Sequence, residues 1–307
     1  MTSHTVSDLH VTIGAAARGA LCDAFASARR SIDAQFYSLG DGDVIAGLNA
    51  AARRGVAVTI RLEGDAGRYD HVHAHEPVDS HVRSAFSRYA DLFDPRVHVI
   101  ADADPLELEH AKAAVVDGER AFVATANPNA EGFASPGEAL VEDDAPADAR
   151  AVAGAIGGVA AQSARVISGP DSACRTRVEA LFDAPVDECV AVERLSDSQV
   201  VDSLLRRQAR GLHDRVLVNT RGERPNEALQ RLVVAGVDVR TIANDYLHDK
   251  YIDAGSKIYV GSANLTRNGL DEAREIGIIA DAVDFDDGGA SLRGEFERLW
   301  SSATRLN

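Results

Sequence analysis

Lysine is nearly missing from this chain. Its 307 residues include only Lys112, Lys250 and Lys257, against twenty-nine arginines. Cysteine is also scarce: Cys22, Cys174 and Cys189 are too few and too scattered for a disulfide scaffold or a structural zinc site. They are expected to be buried or incidental thiols. Aromatic residues make up 5%, which argues against extended base-stacking platforms. No apolar run reaches membrane-spanning length. The opening MTSHTVSDLHVTIGAAARGAL lacks the basic region and apolar core of a signal peptide. The expectation is a soluble, cytoplasmic protein with no stable membrane insertion. Positive charge is short as well. A net charge of -16 speaks against a broad electrostatic grip on DNA or an anionic bilayer, but leaves room for a local cationic cleft. The acidic, lysine-poor composition fits either a salt-adapted surface or GC-rich codon usage.

What is present is an alternating pattern. Hydrophobic residues, 45% of the chain, can fill a sizeable core, and the length fits two domains or one large one. Helical signals over 14–30, 43–55, 80–93 and 145–163 interleave with strand signals over 32–39, 56–62, 96–101 and 138–143. The stretch 111–126 reads as two strands around an Asp-Gly turn. The second half repeats the grammar: strands at 188–195, 215–220 and 237–242, helices at 197–211 and 226–236, and a C-terminal helix near 290–303. NAAARRGVAVTI parallels LQRLVVAGVDVRTI, and a His-x-Lys segment follows each. It follows much later in the first half, which predicts an insertion near 63–106. The small-residue stretch near 160–185 marks a boundary. The predicted class is α/β, with similar sheet lobes at 1–165 and 166–307 related by pseudo-twofold symmetry.

The two segments align closely on their histidines. His110, Lys112, Asn127 and Glu138 in the first match His248, Lys250, Asn264 and Glu275 in the second, and the Asn-to-Glu spacing is identical. Two of three lysines following a histidine by two has a chance of about 0.3%. These residues are also poor core material, because buried polar groups need partners. On a strand, residues i and i+2 face the same side, so each His projects with its Lys while Ala111 and Asp249 point away. Twofold packing would bring two His, two Lys and two Asn to one cleft. Ammonium and amide groups bind phosphoryl oxygens. One neutral imidazole can attack phosphorus, and a protonated one can donate to the leaving oxygen. Glu138 and Glu275 can accept hydrogen bonds from the imidazoles and fix their tautomers. The lysines supply the charge a metal would, so no metal or other cofactor is expected.

These residues resemble the phospholipase D superfamily. HAKAAVVDG matches its His-x-Lys-x4-Asp signature with Asp117 as the aspartate, and IYVGSANLT matches its Gly-Ser-x-Asn extension through Gly261, Ser262 and Asn264. The resemblance runs from about residue 14 to 300 and is closest to two-lobed members. It implies phospholipase D-like α/β/α sandwich lobes and a phosphohistidine intermediate at their interface. By that analogy His110 is the nucleophile and His248 the general acid. Two departures stand out. The second aspartate position holds Gly255, with Asp253 two residues early, and Ala124-Thr125 replaces Gly-Ser in the first copy, where Thr125 keeps the hydroxyl.

The implied substrate is a phosphodiester, and no obligate partner is needed to complete the site. LTRNGLDEAREIG departs from the Leu-Asp-x-Arg-Ser pattern of phospholipid-processing relatives, so a nuclease-type activity on nucleic acid is favoured. A phospholipid hydrolase or headgroup transferase, and a non-catalytic phosphate-binding protein, are the alternatives. His71, His73 and His75 alternate as zinc ligands can, but are read as a loop. The acidic runs at 142–150 and 283–289 are read as a solvated helix start and a solvated loop.

Overall fold

Two sheets carry the same strand order. In the computed structural model, which describes residues 8–63, 91–102, 108–161, 163–220, 224–242 and 246–307, the first sheet runs β1-β7-β6-β5-β2-β3-β4. Its strands are β1 (Leu9–Ile13), β2 (Ser31–Phe36), β3 (Ala57–Glu63), β4 (Val97–Asp102), β5 (Lys112–Val116), β6 (Arg120–Ala124) and β7 (Ala139–Asp143). The second sheet comprises β8 (Val166–Ser168), β9 (Cys189–Val192), β10 (Arg215–Val218), β11 (Asp238–Thr241), β12 (Lys250–Asp253), β13 (Lys257–Gly261), β14 (Ile276–Asp281) and β15 (Thr304–Arg305). Its order, β15-β11-β10-β9-β12-β13-β14-β8, is that of the first sheet with one short strand added. In each, three parallel strands (β2-β3-β4 and β9-β10-β11) adjoin an antiparallel meander. The chain is a two-lobed α/β protein.

Matching local signals build the matching helices. α1 (Ala16–Ser27) and α2 (Gly42–Arg53) flank β2. Asp41 caps α2 by accepting from the backbone N–H groups of Asp43 and Val44. Asp197 does the same for the helix over Ser198–Ala209, through Gln199 and Val200. Gly55 and Gly211 then turn the chain at φ +92° and +84° into β3 and β10. This equivalence corrects the repeat read from sequence. The unit ending at Gly55 corresponds to the one ending at Gly211, whereas Gly236 leads into β11, the counterpart of β4. β4 fell within the expected insertion and is instead a regular strand of the repeat. The predicted helix over 80–93 and the His71/His73/His75 loop lie outside the described residues, apart from the last few positions of that helix.

Apolar faces place the layers. On the outer face of the first sheet, Leu21, Phe25, Val44 and Leu48 pack on Ile32, Ile60, Ala114 and Val116. On the outer face of the second, Val200, Leu204, Leu229 and Leu232 pack on Val190, Val192 and Val216. The inner faces share one core, in which Val115, Val123, Tyr251 and Val260 meet Phe296, Leu299 and Trp300 of the C-terminal helix (Ala290–Ser302). Each fully buried side chain of this kind contributes about 1.5–3 kcal/mol. The lobes therefore hold a fixed relation through apolar packing. Among the described residues, no helix is long and apolar enough to cross a membrane.

Candidate active site

β5 and β12 lie mid-sheet, between β2 and β6 and between β9 and β13. Lys112 opens β5 opposite Phe36, and Lys250 opens β12 opposite Val192. Each histidine stands two residues ahead, at the strand mouth. Strand alternation sends Ala111 into the core between the sheets, as expected, while both lysines are fully buried. Each ammonium donates to the carbonyl of the histidine two residues before it. The first mouth is also tied across the lobes, because the His110 N–H donates to the Arg274 carbonyl at 2.9 Å.

The glutamates cross over. Nδ1 of His110 lies 2.8 Å from Oε1 of Glu275, and Nδ1 of His248 lies 2.9 Å from Oε1 of Glu138. Each lobe thus supplies the carboxylate for the other lobe's imidazole. A carboxylate on Nδ1 fixes the N–H there and leaves Nε2 for chemistry. The Thr125 hydroxyl donates to Glu138 and accepts from the Ala139 N–H. Ser262 bonds both backbone groups of Ile276, the residue after Glu275. The Ala124-Thr125 departure therefore keeps the supporting hydroxyl.

Electrostatics separate the two half-sites. Burial, with Lys112 and Lys250 acting in the same direction and Glu275 opposing, lowers His110 to a pKa of about 4. His110 is therefore neutral at pH 7. Burial also lowers His248, as does Lys250, against the opposing pull of Glu138 and Glu193. Lys112 is lowered to about 7 by burial and Lys250, with Glu275 opposing. Burial raises Glu275, but His110 and Lys112 outweigh it and hold the carboxyl below its ordinary range.

The asparagines obey the same symmetry. Asn127 Oδ1 accepts from the Ser38 N–H at 3.3 Å and Asn264 Oδ1 from the Arg194 N–H at 3.0 Å, each two residues past the strand partner of the neighbouring lysine. Both line one cleft of about 1160 Å³ together with the two histidines. His110, Asn127, His248, Asn264 and Glu275 line this cleft, with Lys112, Lys250 and Glu138 buried nearby.

Asp117 and Asp253 are not part of it. Asp117, at φ +57° in the β5–β6 turn, accepts from the backbone N–H groups of Arg29, Arg30 and Ser31 ahead of β2. Asp253 does not copy this. It binds Arg293 of the C-terminal helix at 2.6 Å and the Gly255 N–H at 2.9 Å. Asp214 takes the strand-anchoring part instead, accepting from the Glu188 N–H at 2.9 Å. The run at 142–150 differs in part from its reading as solvated, whereas Asp286 and Asp287 of the run at 283–289 are exposed, as read. Asp143 and Asp148 are buried, and Asp287 accepts from Gly289, Ala290 and Ser291 at the start of the last helix.

Three cleft residues escaped the sequence reading. The Tyr37 ring lies 5.3 Å from His110 and the Tyr246 ring 5.9 Å from His248. Glu193 occupies the position in the second lobe that Tyr37 holds in the first, immediately after the strand partner of the lysine. Aligning β2 with β9 would have revealed this exchange. Their sequences, SIDAQF and CVAV, share too little pattern to prompt it.

A family model described as "Cardiolipin synthase, PLD-like domain" matches residues 21–155 and 186–300. A virion nicking-joining enzyme of vaccinia virus (strain Western Reserve) is 34% identical over 85 residues, 26% of this chain and only 20% of that relative's length. Phosphatidylserine synthase of Haemophilus influenzae Rd KW20 superposes with a TM-score of 0.72 at 10% identity, over 97% of this chain and 87% of its own. Polyphosphate kinase of Porphyromonas gingivalis gives 0.66 at 16% identity, over 94% of this chain and 46% of its own. At these identities the structural likeness is one of fold.

Proposed function

The chain belongs to the phospholipase D-like family, and from that premise we propose a metal-independent phosphodiesterase that works through a phosphohistidine intermediate. The observation that carries this reading is the reciprocal pairing of His110 with Glu275 and His248 with Glu138 around one cleft. The site is complete within one chain, and the lobes are assigned to 1–165 and 166–307.

The steps follow from the groups present. The phosphoryl oxygens sit against the Lys112 and Lys250 ammoniums and the Asn127 and Asn264 amides, which stabilise charge as it develops. Nε2 of neutral His110 attacks phosphorus, and a P–N bond forms as the bond to the leaving oxygen breaks. Nε2–H of His248 gives its proton to that oxygen. Water or an alcohol then enters, loses a proton to His248 and attacks phosphorus, and the P–N bond breaks to restore His110. Two fixed histidines divide one hard displacement into two easier ones.

Among phosphodiesters, a nucleic-acid strand is the favoured substrate. Tyr246 is exposed in the cleft and offers a stacking face, and Arg194 and Arg267, 56% and 81% exposed, stand on its wall. Local similarity to a virion nicking-joining enzyme supports the same choice. Glu131 and Glu272 alternate with the arginines, so the wall suits a short segment rather than a long anionic track.

The test is incubation with single-stranded DNA, duplex DNA, RNA and phosphatidylcholine vesicles, all in EDTA. Strand cleavage is expected. Cleavage of lipid alone would replace the nucleic-acid reading with a phospholipid hydrolase or headgroup transferase. Binding without turnover of any of them would make the protein a phosphate-binding member of its family.

A further inference from the structure

The two half-sites differ in the residue beside each lysine's strand partner, and the difference is a charge. Tyr37 follows the strand partner of Lys112, and Glu193 follows the strand partner of Lys250. The Glu193 carboxylate is buried, at 5% exposure. Its Oε2 lies 3.3 Å from Lys250 Nζ, 3.2 Å from Asn264 Nδ2 and 3.5 Å from His248 Nε2. Its Oε1 accepts from the Tyr246 hydroxyl at 2.5 Å. These are the second half-site's own phosphate-binding groups, already gathered on a carboxylate.

Resting on the phosphohistidine reading, we propose that Glu193 is a positioning residue that breaks the twofold symmetry of the chemistry, holding His248 as the proton donor and leaving the first half-site to receive the phosphoryl group. A carboxylate lies against each ring nitrogen of His248, Glu138 on Nδ1 and Glu193 on Nε2. The second carboxylate adds to the first in favouring the protonated ring, against the burial and the Lys250 charge that lower it. His110 has a carboxylate on Nδ1 alone among the described residues. Its Nε2 therefore keeps the lone pair that a nucleophile needs. The lysines differ in the same sense. Lys250 is ion-paired to Glu193, whereas Lys112 has no carboxylate within ion-pair distance among the described residues and packs over the Tyr37 ring at 5.6 Å. An incoming phosphoryl oxygen meets no competing carboxylate of the described residues at Lys112, but must compete with Glu193 at Lys250.

The charged groups around this pair are Glu138 across the lobes, Lys250 on β12, Arg194 at 3.5 Å from Glu193 Oε1, and His110 across the cleft. Burial works against ionisation of Glu193, yet Lys250, His248 and the Tyr246 hydroxyl outweigh it and keep the carboxyl ionised far below its ordinary range. The charge is therefore in place throughout the working pH range. A nearby carboxylate favours the protonated imidazole, so its removal lowers the His248 pKa.

Two measurements on Glu193→Gln test this. Histidine NMR titration reads protonation with no need of turnover. The His248 pKa is expected to fall by about one unit, and by more than that of His110. The basic limb of kcat/KM, where the donor loses its proton, is expected to move to lower pH by the same amount. Glu193→Tyr, which copies the first half-site, should give the same two shifts. If the titrations of folded Glu193→Gln and wild type coincide, the proposal is overturned. If the NMR shift occurs while wild type turns over no phosphodiester, Glu193 still sets the charge of His248, but the enzymatic reading of the cleft fails and the proton-donor role with it.

Discussion

His110 and Glu275 lie 165 residues apart in the chain and meet at 2.8 Å across the two lobes. With the mirror pair His248 and Glu138, this contact makes each lobe's chemistry depend on the other. Glu275→Gln is expected to act on the first histidine and Glu138→Gln on the second. Single-turnover kinetics with rapid quench separate the two. Both should slow formation of the phosphorylated protein, the same event as release of the leaving group, by about 10²-fold, the usual scale for disabling a general acid or base, but a leaving group of low pKa, which needs no proton, should restore the rate of Glu138→Gln and not that of Glu275→Gln. A purely local glutamate would reverse these two assignments.

Lys112 supplies a pH signature. Burial and Lys250 bring it down to a pKa of about 7. As the pH rises through that value the ammonium is lost, and with it the grip on an anion. Sulfate keeps a constant charge in this range and serves as the probe. Its affinity for wild type should weaken about tenfold between pH 6 and pH 8. Lys112→Ala should bind sulfate more weakly at pH 6 and lose most of that dependence. An unchanged pH profile in the variant would take Lys112 out of the phosphate seat.

Asp117 belongs to the fold rather than to the chemistry. Three backbone N–H groups converge on its carboxylate, and they hold it below its ordinary pKa although burial pushes the other way. Asp117→Ala leaves those donors without their acceptor, which costs about 1–3 kcal/mol. Denaturant unfolding should show this loss, while kcat of the folded variant stays near wild type. For a depressed carboxyl, the stabilisation is complete above the unfolded pKa of about 3.9 and fades as the pH falls through the lower folded value. The gap between wild type and variant should therefore close only in that acid window. A variant with normal stability and lost activity would place Asp117 in the catalytic machinery after all.

The strands around each His-x-Lys pair were legible as short, largely apolar runs bounded by a Gly stop or an Asp-Gly turn, and they are buried along nearly their whole length. β1 and β8 were not. Both are edge strands; β8, with three residues, is too short to show a period, whereas β1, LHVTI, does alternate apolar and polar residues but is only five residues long. The eight paired site residues stood out because polar groups repeated at one spacing are unusual. The crossing of the glutamates did not, since spacing within a copy cannot say which copy a side chain faces. Glu193 was hidden for the opposite reason: it breaks the repeat, so a search for matched residues passes over it.

Trapping and mapping the covalent intermediate in EDTA tests the phosphohistidine mechanism most directly. A 5′-fluorescent single-stranded DNA is mixed with His248→Asn, quenched at alkaline pH and digested for peptide mass spectrometry. An alkali-stable, acid-labile phosphoryl adduct is expected on the peptide carrying His110, absent from His110→Ala and accumulating in His248→Asn, which forms it slowly but lacks the base that activates water to remove it. An adduct on His248 in His110→Ala, or strand cleavage by His110→Ala at the wild-type rate, would contradict that mechanism.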